Sequence, residues 1–163
     1  MDRSELTAIF SSVLDELEIP FEIEEISGKN AIVIPCGNDK NSPVDCTLTL
    51  EDLGDECTAM QYLVIVAAEL DRKTITELSK VMPALNLMIR IGGFGLMYDD
   101  GALYFSYSVL TDDIGTEQLI GTLLASLDVV LGVSANGKEK LLPLLSGEKS
   151  AEQLLQENLT MIV

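Results

Sequence analysis

The spacing of apolar residues predicts three amphipathic helices. In residues 2–18, 74–89 and from 116 onward, apolar side chains recur at i, i+3, i+4 and i+7, which places them along one side of an α-helix. Pro20 is expected to end the first helix, Pro83 to kink or divide the second, and Gly132 to end the third. Each helix should therefore bury a single stripe.

Two short motifs are expected to mark where the first two helices begin. Asp2 and Glu5 are three residues apart, as are Thr74 and Glu77, which is the spacing of a capping box. In such a box, the two side chains satisfy backbone N–H groups of the first turn that have no partner within the helix. The motifs predict that these helices start close to Asp2 and Thr74.

Between the helices, shorter segments have the pattern of β-strands. Apolar and polar residues alternate strictly from 44 to 51, so Val44, Cys46, Leu48 and Leu50 should share one face, with Cys46 in the core. The segment 61–70 is apolar on both faces, which is typical of a strand inside a sheet.

Turn residues connect the remaining strands in pairs. The runs 21–26 and 31–36 are separated by Ser27-Gly28-Lys29-Asn30, and the runs 94–98 and 102–110 by Asp99-Asp100-Gly101. Gly and Asn tolerate the positive φ of tight reversals, and Asp-Gly is a strong hairpin signal. Two β-hairpins are therefore predicted.

The order of elements predicts the fold class. Consecutive strands can pair as hairpins, and the helices each have one apolar stripe, so the expected class is α+β. It is a two-layer sandwich with an antiparallel sheet and helices packed on one face, in the order α-β-β-β-β-α-β-β-α plus short C-terminal helices. One domain is expected over residues 1–163, in which 137–163 form a helical extension with short helices near 141–145 and 151–159. Ser150 and Gln153 should cap the last of these.

Charge and composition narrow the classes of partner. The net charge of −17 repels nucleic acid and anionic lipid surfaces, and the longest uninterrupted apolar run, 62–68, is too short to span a membrane. Three cysteines without CxxC spacing fit free thiols. We therefore expect a cytoplasmic protein with no nucleic-acid or membrane partner.

The chain contains no histidine, which excludes histidine-based nucleophile activation and histidine-ligated metals. Carboxylate chemistry is still possible at Asp99 and Asp100 or at Asp112 and Asp113. Both pairs also have structural explanations, the first in a hairpin turn and the second before a helix N-terminus. No cofactor and no catalytic or metal-binding residue is predicted, and a metal-assisted hydrolase is the alternative hypothesis.

A family resemblance rests on the pattern of residues 62–113. A strand that ends near Glu69 is followed by a helix ending in Leu85-Asn86-Leu87 and by a hairpin that includes Phe94-Gly95-Leu96-Met97-Tyr98-Asp99. This resembles the YbjN family of bacterial proteins and, more distantly, the type III secretion chaperones. The resemblance implies a cytoplasmic, often dimeric protein with a binding or regulatory role, and it provides no catalytic residues. The tail 138–163 is a departure from the chaperones that could cover apolar patches or form part of a dimer contact.

The function predicted from the sequence is non-enzymatic binding of another protein, with an extended peptide segment as one possible ligand, or association of the chain with itself as a homodimer. An open sheet edge or the third helix could form the contact, and the long strand 102–110 is expected to be such an edge. The candidate surface consists of Tyr104, Ser106, Ser108, Met97, Leu119 and Leu123.

Overall fold

The fold is an antiparallel sheet with helices packed on one face, as predicted. The computed structural model describes residues 3–37, 39–54, 57–111 and 115–157. In chain order these residues form α1 (Arg3–Glu16), β1 (Glu22–Ile26), β2 (Lys29–Pro35), β3 (Asp45–Gly54), β4 (Cys57–Ala67), α2 (Arg72–Leu87), β5 (Gly93–Met97), β6 (Ala102–Thr111), α3 (Thr116–Leu145) and α4 (Ala151–Gln156). The predicted class and order of elements are confirmed.

The strands lie in the order β1-β2-β3-β4-β6-β5, and each neighbouring pair is antiparallel. Strand β4 is inside the sheet, as its continuous apolar run predicts. The prediction that 102–110 is an edge strand is wrong for residues 102–106, because the β5–β6 hairpin places β6 between β4 and β5. Residues 107–110 pair with β4 alone among the described strands. The outermost strands of the sheet are β1 and β5.

Alternate residues of the strands form the core beneath the helices. Cys46 and Leu48 of β3, Tyr62 of β4 and Phe105 of β6 are all buried. Helix α3 packs on β4 and β6, and the Tyr62 hydroxyl donates to the carbonyl oxygen of Leu123 at 3.4 Å. Burial of Cys46 confirms its predicted place in the core. Val44 precedes β3 and is exposed, so its predicted place on the buried face is wrong.

Helix α3 is longer than the sequence indicates. Gly132 does not end it, and residues 141–145 form its last turns and not a separate helix. The buried stripe continues beyond Gly132 through Val133, Gly137 and Leu141, so packing against the sheet outweighs the low helix propensity of glycine. The predicted capping box of Ser150 and Gln153 at the start of α4 is confirmed.

By length and composition alone, α3 is a helix that could cross a membrane, with a mean hydropathy of 1.6 over an 18-residue window. The high mean hydropathy of α3 is not evident from its longest uninterrupted apolar run, because polar residues and glycines interrupt the apolar residues of this helix. Ten residues of α3 pack in the core, whereas only 39% of the window is buried. One side of α3 is therefore a core helix surface and the other side lies outside the core.

The start of α2 differs from the prediction. The helix begins at Arg72, and the side chain of Asp71 caps it by accepting a hydrogen bond from the Thr74 N–H at 2.7 Å. Glu77, predicted to cap the helix, instead pairs with Lys80 and accepts from the Ala151 N–H at 2.8 Å, which joins α4 to α2. The helix is continuous through Pro83. The other predicted box includes Asp2, which lies outside the described residues.

Candidate functional site

The face of the sheet opposite the helices is uncovered within the described parts of the chain, and we call it the open face. Strand register places side chains on it in rows across the sheet. Every residue of the open face larger than alanine whose burial is described is at least partly accessible. The principal members are Glu22, Glu24, Val33, Asp45, Thr47, Leu63, Ile65, Met97, Tyr104, Ser106 and Ser108.

The open face has an apolar centre and an acidic side. Leu63 and Ile65 of β4 and Tyr104 of β6 are half-buried at its centre, and the ring of Tyr104 covers the backbone of Gly95 so closely that a Cβ there would overlap it. Toward β1, the exposed carboxylates are those of Glu22 and Glu24. A ligand that crosses this face would therefore meet apolar and negatively charged groups side by side.

Asp45 is a partly buried acidic residue of the open face, and the pKa of its carboxyl group is raised. Partial burial raises the pKa of its carboxyl group, and the negative charge of Glu24 raises it further. The charged form of Asp45 is thus disfavoured in the folded chain, and a cation bound beside it would relieve this penalty.

Strand β1 is an edge that no other described element covers. All five of its residues are exposed, including Ile23 at 53%. Its hairpin has a two-residue turn, Ser27-Gly28, with φ of 54° and 76°, so Ile26 and Lys29 form the closing hydrogen-bonded pair. Because hydrogen-bonded pairs alternate along an antiparallel ladder, the backbone N–H and C=O groups of Ile23 and Glu25 point away from β2, toward solvent.

The opposite edge of the sheet, β5, is occupied at Phe94. The side-chain amide of Asn86, at the end of α2, donates to the carbonyl oxygen of Phe94 in β5 and accepts from its N–H. These backbone groups would otherwise be available to an added strand. Strand β5 is thus blocked at Phe94, whereas the outward backbone groups of Ile23 and Glu25 in β1 have no partner among the described residues.

The structure brings four of the six predicted surface residues together. Tyr104, Ser106 and Ser108 lie along β6 on the open face, and Met97 lies on the same face of β5. Leu119 and Leu123 are only 2% and 1% exposed, so their assignment to a surface is wrong. They belong to the apolar stripe of α3, and this stripe faces the sheet because that side of the helix removes the most apolar area from water.

Of the two carboxylate pairs considered for a hydrolase, the structure describes only the first. Asp99 and Asp100 are exposed in the turn between β5 and β6, and Asp112 and Asp113 lie outside the described residues. Among the residues that the structure describes, no group of three or more Asp, Glu or Cys side chains could hold a metal ion.

Sequence reasoning missed the β1 edge, although a signal was present. Strand β1 reads Glu-Ile-Glu-Glu-Ile, with charged residues on both faces. A strand inside a sheet rarely has glutamates on both faces, because at least one face is covered, so this pattern is typical of an edge.

No protein-family model matches the chain, and no curated protein matches its sequence. Among solved structures, the chain is similar to YbjN from E. coli, described as a candidate transcription regulator, with 15% identity, a TM-score of 0.47 and coverage of 90% of this chain and 93% of that one. It is also similar to the ExsC–ExsE complex, with 15% identity, a TM-score of 0.34 and coverage of 78% of this chain and 90% of the other. The predicted resemblance to YbjN-like proteins is thus confirmed as a structural similarity.

Proposed function

We propose that this chain is a cytoplasmic, non-enzymatic protein-binding or regulatory protein, and that β1 binds an extended segment of a partner as a seventh strand. The observation that carries the proposal is the uncovered β1 edge, whose outward backbone groups at Ile23 and Glu25 have no partner among the described residues. Backbone hydrogen bonds of this kind supply affinity in strand addition, and side chains at alternate positions supply specificity. The free thiols of Cys36 and Cys46 support a reducing compartment.

The charges of β1 favour a basic partner segment. Glu22, Glu24 and Glu25 occupy three of the five positions of this strand, and Asp45 lies nearby on the open face. Like charges directly opposite each other destabilise paired strands, so β1 disfavours pairing with its own copy. A strand with Lys or Arg at alternate positions, and apolar residues beside Ile23, would complement it.

A binding or regulatory role is also what the resemblance to YbjN-like proteins and secretion chaperones implies. The same resemblance implies association of the chain with itself. Because β1 disfavours pairing with a second β1, we propose that self-association uses a different surface.

The test uses a fluorescent extended peptide of about eight residues that alternates Lys and Val, with a Glu-Val peptide as the comparison. We expect the Lys peptide to bind in fluorescence anisotropy and to slow amide hydrogen exchange at Ile23 and Glu25. Glu25→Pro removes an outward N–H without breaking the hairpin, and it should weaken binding at least about tenfold. Glu25→Gln, which removes only the charge, should weaken binding less.

Charge reversal provides the matched control. Glu22→Lys with Glu24→Lys should abolish binding of the Lys peptide, whereas Glu148→Lys with Glu152→Lys, at exposed positions elsewhere on the molecule, should preserve most of it. Both double variants have the same net charge. If they lose binding equally, the peptide responds only to the overall field of the protein and the proposed site is wrong.

A further inference from the structure

One long side of α3 is exposed and almost uncharged. It lies opposite the stripe that packs against β4 and β6, and we call it the outer face of α3; it consists of Gly121, Ala125, Asp128, Val129, Gly132 and Asn136. Asp128 has the only charge within residues 118–137, although 23% of the chain is charged. Depletion of charge is a property of protein surfaces that become buried on association.

Two glycines of this face have no explanation within the monomer. Glycine destabilises a helix relative to alanine, yet a Cβ added at Gly121 or Gly132 would meet nothing within 4 Å. Gly137 in the same helix is different, because a Cβ there would overlap the ring of Phe94. If the backbone of a second molecule approached Gly121 and Gly132 closely, there would be no space for a Cβ at these positions, just as Phe94 leaves none at Gly137.

A groove runs beside the outer face. Its volume is about 430 Å³, and its apolar lining comes from Ile89 and Ile91, which follow α2, together with Val129 and Val133 of α3. Val129 remains 40% exposed at this position. The groove is therefore large enough for branched aliphatic side chains from another surface.

The charges that line this groove are self-complementary. It has one cation, Arg90, and one anion, Asp128, and both side chains are exposed without an ion-pair partner among the described residues. In a two-fold contact, each residue of one copy meets the partner's counterpart in reverse, so every contact occurs twice. Arg90 of each copy can then pair with Asp128 of the other, which a face with charges of one sign could not do.

We infer that the outer face of α3 and the adjoining groove form the contact of a two-fold homodimer. In this dimer, the α3 helices approach closely at Gly132, Val129 of each copy enters the groove of the other, and Arg90 pairs with Asp128 across the axis. The groove is lined by α3 and by the connection into β5, whereas β1 is the opposite edge of the sheet. The dimer leaves both β1 edges accessible, so it does not depend on peptide binding by β1. It rests on the self-association part of the proposed function, and a monomeric wild type would overturn the dimer without affecting the β1 site.

Sedimentation velocity over a dilution series tests the dimer. The wild type should pass from monomer to dimer as concentration rises. A Cβ at Gly132 meets nothing within 4 Å in the monomer, and the side chain of Gly132→Leu blocks approach of the second helix. This variant should raise the dissociation constant at least about tenfold while circular dichroism and thermal unfolding show an intact fold. A wild type that remains monomeric throughout the series overturns the inference.

A charge swap tests the two-fold geometry. Arg90→Asp and Asp128→Arg should each weaken the dimer about tenfold, and the double variant should restore it, because each pair is re-formed with the charges exchanged. A double variant as weak as the single variants would overturn the proposed pairing. Binding of the wild type to phosphatidylcholine vesicles, lost in Val129→Asp, would assign the face to a lipid surface and would also overturn the dimer.

Discussion

The side-chain amide of Asn86 forms two hydrogen bonds with the backbone of Phe94, donating to its carbonyl oxygen at 2.9 Å and accepting from its N–H at 2.8 Å. Asn86 thereby takes the place of a neighbouring strand at the outer edge of β5. The β5 edge is therefore satisfied by its own chain at Phe94, whereas no described residue bonds the outward backbone groups of β1.

The first prediction concerns this pair of hydrogen bonds. Asn86→Ala leaves the Phe94 N–H and C=O groups without these partners, so the free energy of unfolding should fall by about 1–3 kcal/mol in urea titrations. Leu87→Ala is a control in the same helical turn, because Leu87 is 83% exposed and should change stability little. Equal losses in the two variants would mean that the end of α2 contributes by packing alone.

The second prediction compares two glycines in α3. Gly137→Ala should lower the free energy of unfolding by about 1–3 kcal/mol, because the added methyl group overlaps the ring of Phe94. Gly132→Ala should raise it by about 0.5–1 kcal/mol, since its methyl group has free space in the monomer and alanine favours the helix. Thermal or urea unfolding at low protein concentration measures both. Changes of the same sign would contradict the packing of α3 against β5.

The third prediction is a pH dependence that arises from Asp45. Burial and the charge of Glu24 raise the pKa of Asp45 in the folded chain above its ordinary value of 3.8. Its contribution to stability is therefore fully present below pH 3.8 and is lost as pH rises through the raised pKa. Asp45→Asn should be more stable than the wild type at neutral pH.

The difference in stability between Asp45→Asn and the wild type should shrink as pH falls below 3.8, where the wild-type Asp45 carboxyl is protonated in both the folded and the unfolded chain. Melting temperatures of the two proteins, measured from neutral pH to below pH 3.8, would check this prediction. Glu148→Gln, at an exposed position, serves as the matched control. A stability difference between Asp45→Asn and wild type that does not change with pH would show that a hydrogen bond of the side chain, and not its charge, is responsible.

Several features of the fold follow from short-range pattern alone. The alternation around Cys46 and Leu48 identifies the buried face of β3, because successive side chains in a strand point to opposite faces. Gly28 and Gly101 both have positive φ at the turns where hairpins were predicted. These signals are reliable because each depends on the geometry of a few adjacent residues.

The candidate site was only partly predictable. The alternation of Tyr104, Ser106 and Ser108 in the sequence indicated which residues of β6 share the open face. This two-residue alternation could not show that β6 lies between β4 and β5. Strand order depends on which strands pair, and several pairings satisfy one alternation pattern equally well. The difference between the two edges depends on the tertiary contact of Asn86 with the backbone of Phe94, which no local pattern predicts.

The sequence by itself determined the class of fold, the order of its elements and the chemistry that it lacks, since these follow from periodicity, turn residues and the absence of histidine. Only the tertiary structure decided that α3 continues past Gly132, that β6 lies inside the sheet, and which acidic and apolar groups share a surface. The physical reason is that packing against distant residues, such as Phe94 against Gly137, outweighs local preferences of about 1 kcal/mol or less per residue.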